Sequence, residues 1–268
     1  MYKLYKTGQE FLDENIDLIR GDRLGTTFFE ANANAIAVCD DANFALRVQD
    51  GSEVLIAIRV NGYPLVVYGS TCCANELATA VSQNKLQFSK VIGYYDIVTA
   101  FLNCYEQLVG GSHKVNLSMD IMYCQQVNSC DTSQVEQATA HDVDEIAQMV
   151  VDFTTEAVNE AQDFNAVRDK VASVIDRYAL IRINGEIVSM GYFHIDGELC
   201  RISNVYTKPS HRNRGYSRKV VTYITQQAID CGYLPCLHVD QHNPISNHLY
   251  SSIGYVYGKS RYEMEFVK

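Results

Sequence analysis

Two asparagine-glycine pairs limit most strongly what this chain can fold into. Asn61-Gly62 and Asn184-Gly185 each lie between two apolar, strand-like runs. An Asn-Gly pair favours the left-handed backbone conformation that closes a tight β-hairpin. Strands joined in this way are antiparallel neighbours, so each half of the chain is expected to contain an antiparallel pair.

Helix and strand patterns fill the chain on either side of these hairpins. Apolar residues at helical spacing predict helices, and short alternating or continuous apolar runs predict strands. In the first half we predict two short helices within 10–37 that separate at Gly21 and Asp22, strands at 44–48, 54–60 and 64–70, a helix at 74–83, a strand around Val91, a helix at 97–109 and a strand at 113–127. In the second half we predict a strand at 135–138, a helix with Asp142 as its N-cap, a helix at 166–176, strands at 178–183, 187–195 and 199–207, a helix at 215–231, a strand at 234–240, a helix at 244–253 and a strand at 261–267.

A polar stretch separates these two groups of elements. Residues 128–133, with the sequence NSCDTS, are rich in loop-forming residues and have no apolar periodicity. A chain of 268 residues is long for one domain and comfortable for two. We therefore predict an α+β fold with domains at 1–128 and 135–268. The similar order of elements in the two halves suggests a duplicated unit, and an unrelated α+β domain in the first half is the alternative.

The balance of charged residues limits the partners. Lys and Arg number 22 against 32 Asp and Glu, and the resulting net charge of −10 repels nucleic acid and anionic membranes. No segment approaches the ~18 uncharged apolar residues of a membrane span, and the N-terminal residues lack the apolar core of a signal peptide. We expect a cytoplasmic protein with no nucleic-acid or membrane partner. A phosphate-bearing ligand would need a local basic patch.

The nine cysteines form no CxxC pair and have no regular spacing. Most of them lie in apolar runs, where a thiol behaves as a small hydrophobic group. We expect reduced core cysteines and no metal site.

A local basic patch occurs at residues 205–219, VYTKPSHRNRGYSRK. Here a buried strand ends, a proline-containing turn follows, and a helix begins near Gly215. The start of a helix presents unpaired N–H groups and the positive end of the helix dipole, which favour a phosphate. Gly215 and the small Ser217 would let a pyrophosphate approach the backbone closely. The basic residues of the stretch are Lys208, Arg212, Arg214, Arg218 and Lys219. The alternative is a solvated basic helix start in which the glycine only permits the turn.

Residues 135–268 resemble the GNAT superfamily of acyl-CoA-dependent N-acyltransferases. The segment RNRGYS at 212–217 matches the signature Q/R-x-x-G-x-G/A of that superfamily, and the strand VYT precedes it. The segment NPISNHLYSSIGY at 243–255 matches a second landmark, N-x-x-S/A-x-x-L-Y-x-x-x-G-F/Y. Ser217 departs from the usual Gly or Ala but is small enough to fit. The resemblance implies a mixed, mostly antiparallel sheet flanked by helices, and together with the duplicated pattern it implies two tandem domains.

The resemblance also implies how acetyl-CoA, the expected acyl donor, would be held. The strand that ends in the phosphate loop is splayed from the next strand in this superfamily, so its main-chain groups would pair with the pantetheine arm. The N–H of Tyr206 or its neighbour would face the thioester oxygen as an oxyanion donor. The residues assigned to the cofactor in this way are Val205, Tyr206, Thr207, Arg212, Asn213, Arg214, Gly215, Tyr216, Ser217, Arg218 and Asn243.

Tyr250 is the predicted general acid, and His238 is the predicted general base. A phenol titrates at about 10, so Tyr250 would hold its proton at neutral pH until the thiolate departs; packing is the alternative role. Many relatives place a Glu where this chain has Arg201, which cannot accept a proton. Some relatives use a carboxylate on the next strand, at the position of His238, whose ordinary pKa of about 6.5 suits a base. Four further residues could act through water, namely His194, Asp196, Glu198 and Asp240.

Two functional classes fit these residues. An enzyme would transfer the acetyl group to the amine of a small molecule or peptide, whereas a non-catalytic acyl-CoA-binding regulatory module would sense the cofactor. Tyr250 in its expected place favours the enzyme. The first half has no basic residue at its comparable junction, Val66–Cys73, so it is expected to have lost any cofactor site. It could cover the acceptor cleft, set the shape of the substrate or form a homodimer.

Overall fold

The computed structural model describes residues 1–158 and 161–268. In the first half, strand β1 (Tyr2–Leu4) precedes helices α1 (Gly8–Gly21) and α2 (Phe29–Ala35). The elements that follow are β2 (Phe44–Asp50), β3 (Glu53–Arg59), β4 (Leu65–Gly69), α3 (Ala74–Gln83), β5 (Lys90–Gly93), α4 (Tyr95–Val109) and β6 (Ser112–Tyr123).

The second half has the same alternation of helices and strands. It begins with β7 (Val135–Gln137), α5 (Val143–Val158) and α6 (Phe164–Ser173). The elements that follow are β8 (Tyr178–Ile183), β9 (Glu186–Asp196), β10 (Leu199–Thr207), α7 (Tyr216–Asp230), β11 (Leu234–Asp240), α8 (Pro244–Ile253) and β12 (Val256–Val267). The predicted order of elements is therefore present in both halves, with the short strand β1 added and with bounds that differ by a few residues.

These elements form two compact units. The first comprises residues 1–121, 240–242 and 258–268, and the second comprises residues 122–239 and 243–257. Most of β12 thus belongs to the first unit, where Tyr262 lies opposite Gly93 in an antiparallel pair with β5. Our sequence-based ranges, 1–128 and 135–268, assign this strand to the second domain. They remain a prediction of domain boundaries, because compact units need not follow the order of the sequence.

The first unit has a mixed sheet with helices on both faces. Its strand order is β1-β2-β3-β4-β5-β12-β6, and β4 and β5 are parallel. Successive side chains of a strand point to opposite faces, and β3 follows this rule: Leu55 and Ala57 pack with residues of α3 and α4, whereas Ile56 and Ile58 pack with residues of α1 and α2. Burial on both faces explains why β3 reads as a continuous apolar run.

The second unit repeats this arrangement of layers. Its strand order is β11-β10-β9-β8-β7, and only the β10–β11 pair is parallel. On β8, Ala179 and Ile181 pack with residues of α7 and α8, whereas Tyr178 and Leu180 pack with residues of α5 and α6. Across both described ranges, no helix has the length and apolar character that a bilayer span requires.

Both Asn-Gly turns close hairpins as predicted. Asn184 and Gly185 have φ values of 52° and 86°, and they join the antiparallel strands β8 and β9. Gly62 has a φ of 84°, between the antiparallel strands β3 and β4. The left-handed conformation at these positions is the physical reason that glycine and asparagine occur there.

The prediction that Asp142 is an N-cap is wrong in one respect. Thr139 is the N-cap residue, and a short 3-10 turn over Ala140–Asp142 leads into α5. The Asp142 carboxylate accepts hydrogen bonds from the Thr139 N–H and hydroxyl at 2.8 and 2.9 Å. Asp142 is therefore the acidic partner of a capping box, three residues after the cap. Arg182 also donates to this carboxylate at 2.6 Å, which fastens α5 to β8.

Candidate active site

A β-bulge distorts β10 just before the basic loop. Ser203 lies opposite Tyr192 and Tyr206 lies opposite Met190, so three steps along β10 match two along β9. The extra residue bends the strand and interrupts its ladder of hydrogen bonds. Asn204 takes up the distortion with a φ of 49°, a left-handed conformation that Asn tolerates better than most residues.

The parallel pairing between β10 and β11 ends at the same level. It runs from the pair Leu199–Leu234 to the pair Ile202–Leu237. Both strands continue beyond this point, but their register has no further partners within the described ranges. The main chain after Ile202 thus has an edge that β11 does not cover, as the resemblance implies for a strand that binds pantetheine. His238 is the first residue of β11 beyond the pairing.

The start of α7 is open to an anion. Pro209–His211 form a 3-10 turn, and Asn213 and Gly215 then adopt left-handed φ values of 61° and 76°. Gly215 is the N-cap residue, and as a glycine it provides no side chain to accept hydrogen bonds from the first turn. No acidic residue lies in that turn either. The first N–H groups of α7 are therefore available to an anionic ligand, and the helix dipole favours one.

Three of the five basic residues in the patch are paired with protein carboxylates. Lys208 lies 2.9 Å from both Glu145 and Glu186. Arg212 donates to Glu156 at 2.7 Å, and its Nε donates to the Thr207 carbonyl oxygen at 3.0 Å. These side chains hold the loop in place, and their positive charge is largely offset. The Arg212–Glu156 pair cannot be predicted from the sequence, because its members are 56 residues apart and no local pattern links them.

Lys219 is the third basic residue with a carboxylate partner. Arg214 and Arg218 differ from these three residues in the kind of partner they have. Lys219 donates to the Gln134 side chain at 2.8 Å and lies 3.8 Å from Asp131. Arg214 and Arg218 donate only to backbone carbonyl oxygens, at 3.3 and 3.4 Å, within the described part of the chain. The patch available to a phosphate is therefore smaller than the sequence predicts, and it centres on these two arginines.

The remaining residues assigned to the cofactor lie on β10, on α7 and at the start of α8. Val205 and Tyr216 pack against the apolar core beneath α7. Tyr206 is 7% exposed, and the Arg212 guanidinium lies over its ring at 5.6 Å. Asn243 caps α8, because its side-chain oxygen accepts a hydrogen bond from the Ser246 N–H at 3.1 Å. A contact between Asn243 and the cofactor would compete with this cap or use another atom of the residue.

Tyr250 lies on α8, beside Tyr255, and their ring centroids are 6.0 Å apart. Burial raises the pKa of Tyr250 to about 12, so its phenol is protonated at neutral pH. In the described ranges its hydroxyl has no hydrogen bond to the protein, and its proton is available to a bound ligand.

His194 is a poor alternative base. Burial and the positive charges of Arg201 and Arg177 lower the pKa of His194. The His194 ring is therefore neutral near pH 7, and Arg177 donates to its Nδ1 at 3.1 Å. The proton of a neutral imidazole then lies on the other nitrogen, so neither nitrogen has a free lone pair. Arg201 lies opposite His194 across the β9–β10 pair.

Comparison with known proteins finds a matching family for part of the second unit. Residues 143–255 match the family model described as the Acetyltransferase (GNAT) family. No curated protein matches the chain.

Solved structures match beyond this segment. An acetyltransferase from the GNAT family of Colwellia psychrerythraea is 13% identical and has a TM-score of 0.62, with 100% of both chains covered. A Drosophila protein is 12% identical and has a TM-score of 0.67, with 99% of this chain and 98% of that protein covered. A GCN5-related N-acetyltransferase from Sphaerobacter thermophilus is 14% identical and has a TM-score of 0.59, with 84% and 81% covered. At these identities the likeness concerns the fold, which is GNAT-like along the whole chain. Residues 143–255 of this chain therefore form a domain of the GNAT acetyltransferase family.

Proposed function

We propose that the second unit transfers an acetyl group from acetyl-CoA to an amine by direct attack of the amine on the thioester. The observation that carries the proposal is the junction of β10 and α7, where a bulged, uncovered strand edge is followed by an uncapped helix start. The edge fits the amide groups of a pantetheine arm, and the helix start fits a pyrophosphate. The two features follow one another along the chain in the order of the two parts of CoA.

In this proposal the backbone of the site stabilises the charge that develops during the reaction. Main-chain groups of Val205, Tyr206 and Thr207 bind the pantetheine arm. The N–H of Tyr206 or its neighbour donates to the thioester oxygen as it becomes an oxyanion, and one such donor typically contributes about 3–4 kcal/mol to the transition state. The loop from Arg212 to Arg218 holds the pyrophosphate, mainly through N–H groups and the guanidinium groups of Arg214 and Arg218.

Proton transfer completes the reaction in the proposal. Most amines titrate at about 10 and are protonated at neutral pH, so a base must remove a proton before or during attack. We assign this role to His238, at the end of the β10–β11 pairing. The new C–N bond forms and the C–S bond breaks. The sulfur leaves as a thiolate that accepts a hydrogen bond from Tyr250, and it then takes up the second proton, which the amine nitrogen loses on becoming an amide. A thiol titrates at about 8.5, below the pKa of about 12 that burial gives Tyr250, so Tyr250 acts mainly by stabilising the thiolate.

We also propose that the first unit is a GNAT-like copy that has no cofactor site. The fold matches over the whole chain support a tandem arrangement. At its comparable junction, β4 is followed by a 3-10 turn over Thr71–Cys73 and then α3. No Lys or Arg lies between Val66 and Cys73, and Glu76 lies in the first turn of α3. An acidic residue at this place repels phosphate, in contrast to the first turn of α7.

The test is to measure release of free CoA from acetyl-CoA with a panel of amines, including small diamines, amino acids and peptides with free N-termini. Release that depends on an amine and yields the acetylated amine supports the proposal. Propionyl-CoA and malonyl-CoA, measured in parallel, establish the preference for the acyl group. Tight binding of acetyl-CoA without turnover on any acceptor would instead indicate a regulatory module, and failure to bind any acyl-CoA would overturn the assignment of the site.

A further inference from the structure

Three hydroxyl groups form a continuous chain beneath the predicted phosphate loop. The Ser189 hydroxyl on β9 lies 2.8 Å from that of Thr207 on β10. The Thr207 hydroxyl lies 2.6 Å from that of Ser217, in the first turn of α7. Ser189 and Thr207 lie directly opposite each other across the two strands, so their side chains share one face of the sheet. This chain of hydroxyl groups thus links β9 and β10 to the start of α7.

The two ends of this chain of hydroxyl groups differ in their exposure to solvent. Ser189 is 0% exposed and Thr207 is 8% exposed. Ser217 is partly exposed and lies two residues after Gly215, at the open start of α7. Ser217 is also the position at which the protein departs from the Gly or Ala of the superfamily signature. The Ser217 hydroxyl is therefore held by the buried Thr207 at the place where a phosphate is expected.

The protons of the three hydroxyl groups can be arranged in more than one way, and an anion selects among these arrangements. Three hydroxyls carry three protons, and the two hydrogen bonds between them use two. The third proton lies on Ser189 toward the interior, on Ser217 toward the loop, or on Thr207 if its oxygen accepts from both neighbours. An anion beside Ser217 favours the second arrangement, in which Ser189 donates to Thr207, Thr207 donates to Ser217, and Ser217 donates to the ligand. Hydrogen bonds aligned in this way strengthen one another.

We propose that Ser217 is a pyrophosphate ligand of acyl-CoA and that Thr207 and Ser189 are positioning residues that fix the direction of its hydroxyl. The proposal rests on the proposed function, because it requires CoA to bind at the start of α7. It adds a side-chain role to Ser217, which the resemblance already places in the phosphate loop, and it predicts that restoring the usual alanine weakens binding.

The experiment is a double-mutant cycle in the full chain, with CoA as the probe and calorimetry as the readout. Ser217→Ala should weaken CoA binding by about tenfold, the usual effect of losing a hydrogen bond to a charged group. Thr207→Val should weaken it by about three- to tenfold in the wild-type background. In the Ser217→Ala background it should have less than about a twofold effect, because Thr207 then has no hydroxyl to orient. Ser189→Ala replaces Thr207→Val in the cycle if the latter does not fold.

Thr225→Val is the matched control. Thr225 is also buried in the second unit, and its hydroxyl bonds to the Val221 carbonyl oxygen and to the Tyr255 hydroxyl, both at 2.7 Å. It lies in the middle of α7, so its loss should lower the melting temperature and leave CoA affinity unchanged.

The outcomes separate this inference from the proposed function. If the wild type binds CoA and Ser217→Ala binds it equally well or more tightly, the role of Ser217 is refuted and the acetyltransferase proposal stands. If Thr207→Val weakens binding equally in both backgrounds, the positioning role is refuted. If the wild type binds no CoA, the proposed function and this inference both fail.

Discussion

Substitutions of Gly215 can separate two requirements of the proposed phosphate loop. One is the left-handed backbone conformation at this position, and the other is the absence of negative charge beside the pyrophosphate. It has a φ of 76°, and a Cβ added there would meet no atom within 4 Å. A side chain at this position therefore meets no clash, but it must adopt the left-handed conformation, which costs about 1–2 kcal/mol. Alanine, glutamine and glutamate should all show this strain, and the three variants should melt at similar temperatures.

The charge of glutamate adds a repulsion that glutamine lacks. If a pyrophosphate binds at the start of α7, the carboxylate introduced by Gly215→Glu would approach it to about 5 Å. Two like charges at that distance repel by about 3 kcal/mol at an effective dielectric constant of about 20 and by about 1 kcal/mol in water. Gly215 is exposed, so the effect should fall between these limits. The Gly215→Glu variant should bind CoA roughly five- to hundredfold more weakly than Gly215→Gln.

Calorimetric titration with CoA at low and high salt measures this difference. Screening shortens the Debye length from about 10 Å at 0.1 M to about 3 Å at 1 M, so the gap between the Glu and Gln variants should shrink with salt. Gly185→Glu is the control, because Gly185 has a φ of 86° and equally open surroundings but lies in the β8–β9 hairpin. Equal CoA affinity of the Gln and Glu variants at low salt would refute a phosphate site beside Gly215.

Three further predictions concern single residues. Tyr250→Phe should lower kcat by about ten- to hundredfold with the KM for acetyl-CoA nearly unchanged; steady-state kinetics would contradict the assigned role if kcat stays within about twofold. Glu156→Gln should tighten CoA binding by about two- to threefold at low salt, since it removes a negative charge beside Arg212. It should hardly change the melting temperature, because the side chains of Arg212 and Glu156 are 40% and 49% exposed and water screens their attraction; weaker CoA binding would contradict this. Asp142→Asn should lower the free energy of unfolding at pH 7 by about 2 kcal/mol. Burial favours the protonated form of Asp142, but hydrogen bonds from Thr139 and Arg182 outweigh this effect and lower the pKa of Asp142 below the usual 3.8. The stability that the Asp142 carboxylate gives the wild type should therefore be lost as pH falls through that lowered pKa. Denaturant titrations of the wild type and of Asp142→Asn should converge there.

Local signals made much of the fold predictable. The Asn-Gly pairs fix hairpins because they meet a backbone requirement within two residues. The element order followed from the period of apolar residues, which each strand and helix expresses in its own sequence. The one misplaced cap, Asp142, lay within a capping box, where either Thr139 or Asp142 is a plausible cap residue by type alone.

The loop that we propose as the phosphate site was also visible in the sequence, but the contacts of its side chains were not. A glycine at a helix start and nearby arginines are local features, so the turn and the helix that follows it agree with the prediction, whereas phosphate binding stays a prediction. Which basic residues remain available to a phosphate depends on carboxylates such as Glu156, which lies 56 residues from Arg212. No local pattern records a partner at that distance, and only the packing of α5 against β10 brings the two together.

The sequence by itself determined the hairpins, the helix that follows Gly215, and the tyrosine on the last helix, because each depends on residues close to one another along the chain. The tertiary structure alone decided three other features. It placed residues 258–268 in the first unit, it paired three of the five basic residues, and it aligned the hydroxyls of Ser189, Thr207 and Ser217. Each of these depends on strands and helices that are adjacent in space but distant in sequence, and such contacts are chosen by the packing of the whole unit.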